Sequence, residues 1–160
     1  MQLDVPGARP SGIRIREARP EELATAADFW GRMYRELQLG PELEADWRSK
    51  ATSYFARRRT AAELEYFVAE AVGEVIGTAG ALIHDGFPVE FHDRRRGYIY
   101  GVYVVPAWRG KGLAARLTWA AVDWLRARGC TQIRLHAAEK ARPIYDRLGF
   151  VPSNEMVLRV

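Results

Sequence analysis

Leu23, Ala26, Ala27, Trp30, Met33, Tyr34 and Leu37 recur at intervals of three and four, the spacing of one apolar helical face. The helix this predicts opens at Pro20-Glu21-Glu22, where a missing N–H costs nothing and acids meet the positive helix end, and stops at Gly40-Pro41. Leu43, Trp47, Ala51, Tyr54 and Phe55 mark a second helix, closed by the cations Arg57-Arg58-Arg59. Elsewhere the pattern is that of strands. Ile13 and Ile15 alternate with arginines, and Tyr66 to Val72 and Val75 to Ile83 flank Gly73-Glu74 as a hairpin. Tyr98 to Val105 is β-prone and ends at Pro106. Helical spacing returns in Leu113, Leu117, Ala120, Ala121, Trp124 and Leu125, up to Gly129. Ile133 to Ala137 reads as a strand, Pro143 to Leu148 as a short helix closed by Gly149, and Phe150 with Met156 to Val160 as a terminal extended segment.

The order β-α-α-β-β-β-α-β-α-β, with no internal repeat or linker, predicts one α/β domain over residues 13–160 with a mixed sheet. Met1 to Gly12, rich in Pro and Gly, reads as a mobile leader. Asp85 to Gly97 is the longest irregular interior stretch and a natural rim for a site. With 48% hydrophobic residues, five Trp, seven Tyr and six Phe, 160 residues build a core without a metal or disulfide staple. Cys130 is the single cysteine, which excludes an intrachain disulfide and suits a reducing cytosol. No apolar run approaches the ~18 residues of a membrane span, so the expectation is a soluble, cytoplasmic protein. The net charge of +4 suits an anionic ligand. Arg57 to Arg59 and Arg94 to Arg96 could touch nucleic acid, but short arginine runs are more often solvated surface, and a nucleic-acid partner is not expected. His84, His92 and His136 lack a recognised ligand spacing, so no metal is expected.

Chemistry concentrates between Tyr100 and Leu117, where a strand ends in proline, Gly110 and Gly112 follow, and a helix starts at once. Glycine lets backbone N–H groups approach a ligand closely, and the first helical turn adds unpaired N–H groups and a positive dipole end: an anion site. Arg109 and Lys111 add charge suited to a diphosphate. A P-loop is excluded because Lys111 precedes Gly112 and Leu113 follows it; a dinucleotide fold is disfavoured because the second βαβ unit is missing.

The run Val102-Tyr103-Val104-Val105-Pro106-Ala107-Trp108-Arg109-Gly110-Lys111-Gly112-Leu113-Ala114 resembles the R/Q-x-x-G-x-G/A acetyl-CoA motif of the GNAT superfamily. A second block, Ala141 to Phe150, is similar to that family's A-x-x-ϕ-Y-x-x-x-G-F segment. The resemblance implies an acetyl-CoA-dependent N-acetyltransferase with a mostly antiparallel sheet flanked by helices and two strands splayed at the acetyl-CoA site. It implies that the backbone of Val102, Tyr103 and Val104 pairs with the pantetheine arm and polarises the thioester, and that Arg109, Gly110, Lys111, Gly112, Leu113 and Ala114 hold the pyrophosphate. It makes Tyr145 the acid that protonates the departing thiolate, a role suited to a phenol of pKa about 10.

Two positions depart from the family pattern. Ala138 stands where many members have Asn, removing a side-chain bond to the co-substrate, and Tyr98 stands where some carry a glutamate base. A water chain, Tyr100, His136 or Glu155 then remains to accept the amine proton, and the residues do not choose among them. In the family the first two helices wall the acceptor site, so Trp30 and Tyr34 are candidates to contact an amine with an apolar body, beside the simpler reading that they are core. A small-molecule primary amine is the expected acceptor. A protein or peptide amine, a silent CoA-binding module and a homodimer stay open.

Overall fold

The computed structural model describes residues 12–84 and 95–160; residues 1–11 of the leader and 85–94 of the irregular stretch lie outside it. Strand β2 (Leu64–Ala71) shows how the sheet is built. Its side chains alternate, Leu64, Tyr66 and Val68 to one face and Phe67, Ala69 and Ala71 to the other, and both faces are covered. The chain then reverses at Val72 and Gly73, both at positive φ (51° and 77°), as a two-residue turn with the φ signs of type I′ requires. The turn therefore sits one residue earlier than the expected Gly73-Glu74, and Val72, 93% exposed, belongs to it rather than to the strand. Strand β3 (Glu74–Ile83) returns beside β2.

With β1 (Ile13–Glu17), β4 (Arg95–Val104) and β5 (Cys130–Leu135), the sheet runs β1-β2-β3-β4-β5. Every neighbouring pair is antiparallel except β4 and β5, which are parallel. That parallel pair needs a crossover, supplied by helix α3 (Leu113–Ala127). Its Leu113, Leu117, Ala121, Trp124 and Leu125 pack on one face of the sheet. Helices α1 (Leu23–Glu36) and α2 (Trp47–Thr60) cover the other through Leu23, Ala26, Ala27 and Phe55. The mixed α/β architecture expected from the pattern is the one observed.

Several boundaries differ. The first helix opens with a 3-10 turn, Pro20–Glu22, and α1 ends at Glu36, four residues before Gly40, with Gln38 in the left-handed region (φ 50°). Leu43 lies outside α2, which begins only at Trp47, where Asp46 and Glu44 hold Lys50 at the entrance. Arg95–Gly97, expected in the irregular stretch, belong to β4, and β5 begins at Cys130 and ends before His136. Helix α4 is Arg142–Arg147, preceded by the 3-10 turn Glu139–Ala141. The terminal segment is the larger correction: residues 150–160 form no strand, and Met156, Val157, Leu158 and Val160 are exposed. Their apolar character raises strand propensity, but a strand also needs a free edge and a matching register.

Candidate active site

Strands β4 and β5 pair from Arg95↔Cys130 to Ile99↔Leu135 and then part. Beyond Ile99, β4 runs on to Val104 with no β5 residue beside it, so a row of backbone groups faces a gap in the sheet. The expected triplet Val102, Tyr103 and Val104 lies on this stretch. On its other side β4 pairs with β3 irregularly: Tyr100 opposes Gly80 and Tyr103 opposes Thr78, leaving Gly101 and Val102 across from Ala79. Two residues against one is a β-bulge. Gly101 takes the positive φ (61°) this requires, and Thr78 Oγ1 donates to its carbonyl at 3.1 Å. The bulge reverses the parity of the strand. Gly97 and Ile99 face α3 before it, Val102 and Val104 after it. Tyr98 and Tyr100 therefore share the α1/α2 face with Tyr103, whose ring lies 5.2 Å from that of Phe29.

From Val104 the chain passes through a 3-10 turn (Pro106–Trp108) into Arg109-Gly110-Lys111-Gly112 and the first turn of α3. Gly110 and Gly112 both take left-handed φ (76° and 73°), and a Cβ at either would meet nothing within 4 Å. The loop is thus an open cradle at a helix N-terminus, the surroundings an anionic diphosphate requires. Leu113 is buried and Ala114 packs on the core, so only their backbone is available to such a ligand. Arg109 is already engaged: Nε donates to the Val104 carbonyl at 2.9 Å, while Nη1 and Nη2 grip both oxygens of Glu36 at 2.6 and 2.9 Å. The guanidinium also lies 5.3 Å from the Tyr103 ring centre. This pair holds the Glu36 carboxyl below its ordinary range.

An aromatic group lines the α1/α2 face where the strands part. Tyr98 stacks on Tyr100 (6.4 Å between centres, 12° between planes), Tyr100 meets Tyr66 edge-on at 5.5 Å, and Phe55 lies 4.8 Å from Tyr66. The Tyr66 and Tyr100 hydroxyls are buried against each other, and burial pushes both phenols up. Tyr98 differs: its hydroxyl is hydrogen-bonded to Nδ1 of His136, the residue directly after β5. Burial, and then the nearby Glu155 carboxylate, raise Tyr98, with a hydrogen bond from the His136 backbone N–H opposing them. Glu155 itself is ion-paired with Arg134.

Tyr145 on α4 is 7% exposed, its ring edge-on to Phe150 at 6.0 Å, and burial raises its phenol above the ordinary value. It is therefore a neutral O–H donor at neutral pH. Among the described residues no cluster of His, Cys, Asp or Glu is arranged to hold a metal ion, and no helix is long and apolar enough to cross a membrane.

The profile of the acetyltransferase (GNAT) family matches residues 23–150. The chain belongs to this family. GNAT relatives include a mycothiol acetyltransferase of Amycolatopsis mediterranei, 40% identical over 88 residues, which are 53% of this chain and 29% of that protein. A glucosamine 6-phosphate N-acetyltransferase of Trypanosoma brucei brucei is 33% identical over 94 residues, 59% of this chain and 63% of that one. The chain thus spans less than two thirds of either relative. Among solved structures, a predicted acetyltransferase of Clostridium acetobutylicum crystallised with acetyl-CoA superposes with a TM-score of 0.83 at 25% identity, over 92% of this chain and 96% of that one.

Within this GNAT scaffold the structure brings Tyr98, Tyr100, His136 and Glu155 together. Trp30 and Tyr34 sit elsewhere in the contact network: Trp30 lies 5.3 Å from Tyr34 and 5.9 Å from Trp47, and the Tyr34 hydroxyl donates to the Pro41 carbonyl, so both fasten α1 to α2 and the segment between them. Ala138 caps the 3-10 turn through its carbonyl alone, receiving the N–H of Ala141 and Arg142. Four participants escaped the sequence reading. Gly101 carried a signal, a glycine inside a strand pattern, which suggests a bulge. Tyr66 and Phe55 were placed on a strand and a helix face but not joined. Glu36, 73 residues from Arg109, carried none.

Proposed function

We propose that this chain transfers the acetyl group of acetyl-CoA to a primary amine of a small molecule, and that Tyr145 is the general acid. The observation that carries the proposal is the gap opened where β4 and β5 part, with the Gly110 and Gly112 cradle at the end of the same β4 backbone. An extended arm fits along the β4 backbone that faces the gap between residues 100 and 104, as an added strand would, and its diphosphate end meets the cradle. In this reading a backbone N–H at the bulge polarises the thioester carbonyl and the free amine attacks it. The C–N bond forms, the C–S bond breaks, and the departing thiolate takes its proton from the Tyr145 hydroxyl. Relatives named for mycothiol and glucosamine 6-phosphate support a small acceptor.

The test is thiol release from acetyl-CoA over a panel of sugar amines, polyamines, aromatic amines, amino acids and short peptides, beside thermal stabilisation by acetyl-CoA, ATP and NAD at equal concentration. Stabilisation by acetyl-CoA alone and turnover with a small amine are expected. Equal stabilisation by all three ligands, with no turnover, would refute the reading.

A further inference from the structure

Four routes for the acceptor's proton were open from the residues alone, and the structure separates them. Tyr100 has its hydroxyl buried against that of Tyr66, which is itself 0% exposed, so a proton delivered there has no path to solvent. Glu155 is occupied by Arg134. What is left is the pair formed across the last rungs of the β4–β5 ladder. Tyr98 is the penultimate β4 residue to be paired, opposite Arg134, and His136 is the first residue after Leu135, where pairing ends. Their side chains meet in a hydrogen bond between Tyr98 Oη and His136 Nδ1, with the rings edge-on at 5.6 Å. Tyr98 is half-buried and His136 exposed, so the pair spans from the floor of the gap to solvent.

We propose that Tyr98 and His136 form a proton relay that carries the proton of the acceptor amine out of the gap. This rests on the acetyl-transfer reading above. Tyr98 lies on the α1/α2 face three residues before Gly101, about 10 Å along the strand, so the amine proton reaches its hydroxyl through a short chain of waters in the gap. As the C–N bond forms, the nitrogen loses a proton through water to Tyr98 Oη while the Tyr98 hydroxyl proton moves to Nδ1 of His136; the imidazolium then loses its Nε2 proton to bulk water. No electrons change hands, and proton exchange with solvent restores the Nε2–H tautomer, with Nδ1 open again, before the next turnover. The relay runs with the His136 proton on Nε2, so that the Tyr98 hydroxyl donates and Nδ1 accepts. Among the described residues, the other titratable or charged groups around the pair are Tyr100 and Tyr66 on the sheet, Tyr54 and Arg58 on α2, and the Arg134–Glu155 ion pair at the edge. Histidine is the side chain suited to passing a proton on, and the relay works only while Nδ1 is open to receive one.

The test uses Tyr98→Phe, His136→Asn and the double variant on an amine the wild type acetylates. Asparagine keeps an acceptor near the Nδ1 position but cannot take up the proton. At pH 7.5 each single variant should lose about 100-fold in kcat/KM for the amine, the lower edge of the range for positioned acid–base groups, with acetyl-CoA affinity unchanged. The acid limb of the wild-type pH–rate profile should vanish in both, and the double variant should be no slower than either single one, since the two groups act as a unit. Loss of acetyl-CoA binding, an acid limb that persists in both variants, or losses that multiply in the double variant would each overturn the relay while leaving acetyl transfer standing. Absence of transfer to any amine by the wild type would overturn the transfer reading and the relay with it.

Discussion

Replacing Glu36 by Gln should tighten acetyl-CoA binding. Arg109 emerges from the loop that suits a diphosphate, yet its two terminal nitrogens are held by Glu36 at 2.6 and 2.9 Å, so a phosphate must displace a carboxylate to reach them. The magnitude follows from exposure. The side chains are 42% and 46% accessible, which places the pair among surface ion pairs worth about 0.2–1 kcal/mol, and bidentate geometry puts it near the top of that range. At about 1.4 kcal/mol per tenfold, removing the competition improves Kd by at most about fivefold. The Nε bond to the Val104 carbonyl remains in the variant and keeps the guanidinium beside the loop. Stability should fall by no more than ~1 kcal/mol, a Tm change of about 2–4 °C for a domain of this size. Calorimetric titration at low and high salt is the assay. The gain should shrink as ionic strength rises, and Glu36→Gln should change nothing in an Arg109→Met background. Weaker binding in a folded Glu36→Gln protein would refute this reasoning, because it would mean that the carboxylate holds Arg109 in its binding posture.

Three further outcomes are expected. Tyr145→Phe keeps the ring packed on Phe150 and should bind acetyl-CoA normally while kcat falls toward the lower part of the ~10²–10⁴-fold range, measured under conditions where chemistry limits turnover. Gly112→Asp meets no steric obstacle in the free protein, so circular dichroism should report a folded chain that has paid at most about 1–2 kcal/mol for a left-handed non-glycine residue, with acetyl-CoA binding lost by calorimetry. Glu22, held at about 2 chiefly by its hydrogen bonds to Arg16, has a folded-state pKa below its unfolded one; its stabilisation is full above the ordinary carboxylate range and is lost as pH falls from about 4.5 towards 2. Denaturant titration of Glu22→Gln should therefore show a deficit at pH 6 that closes by about pH 2.

The helices and most strands were legible because burial imposes a period on the residues that make them: Leu113, Leu117, Ala121 and Leu125 declare α3, and Tyr66 to Ala71 declares β2. The glycine cradle was legible for a different reason, since Gly110 and Gly112 flank a lysine immediately before a helix. What stayed hidden depends on tertiary placement. Tyr98 and His136 were separate candidates because only the parallel pairing of β4 with β5 sets them side by side. The Glu36 partner of Arg109 comes from another layer of the fold. The terminal Met156–Val160 has the composition of a strand, yet in the folded chain it finds no place in the sheet, which no local pattern encodes.

The bulge at Gly101 also governs how such a chain can diversify. Because the two halves of β4 address the layers with opposite parity, deleting Gly101 or inserting beside it would turn either the tyrosines or the valines toward the wrong helices. Length in this strand is therefore frozen, whereas exchanges at Tyr98 and Tyr100 alter only the layer facing α1 and α2 and leave the α3 packing as it was. Substitution at those tyrosines would thus reshape the face proposed to meet the acceptor while leaving in place the β4 backbone proposed to meet acetyl-CoA.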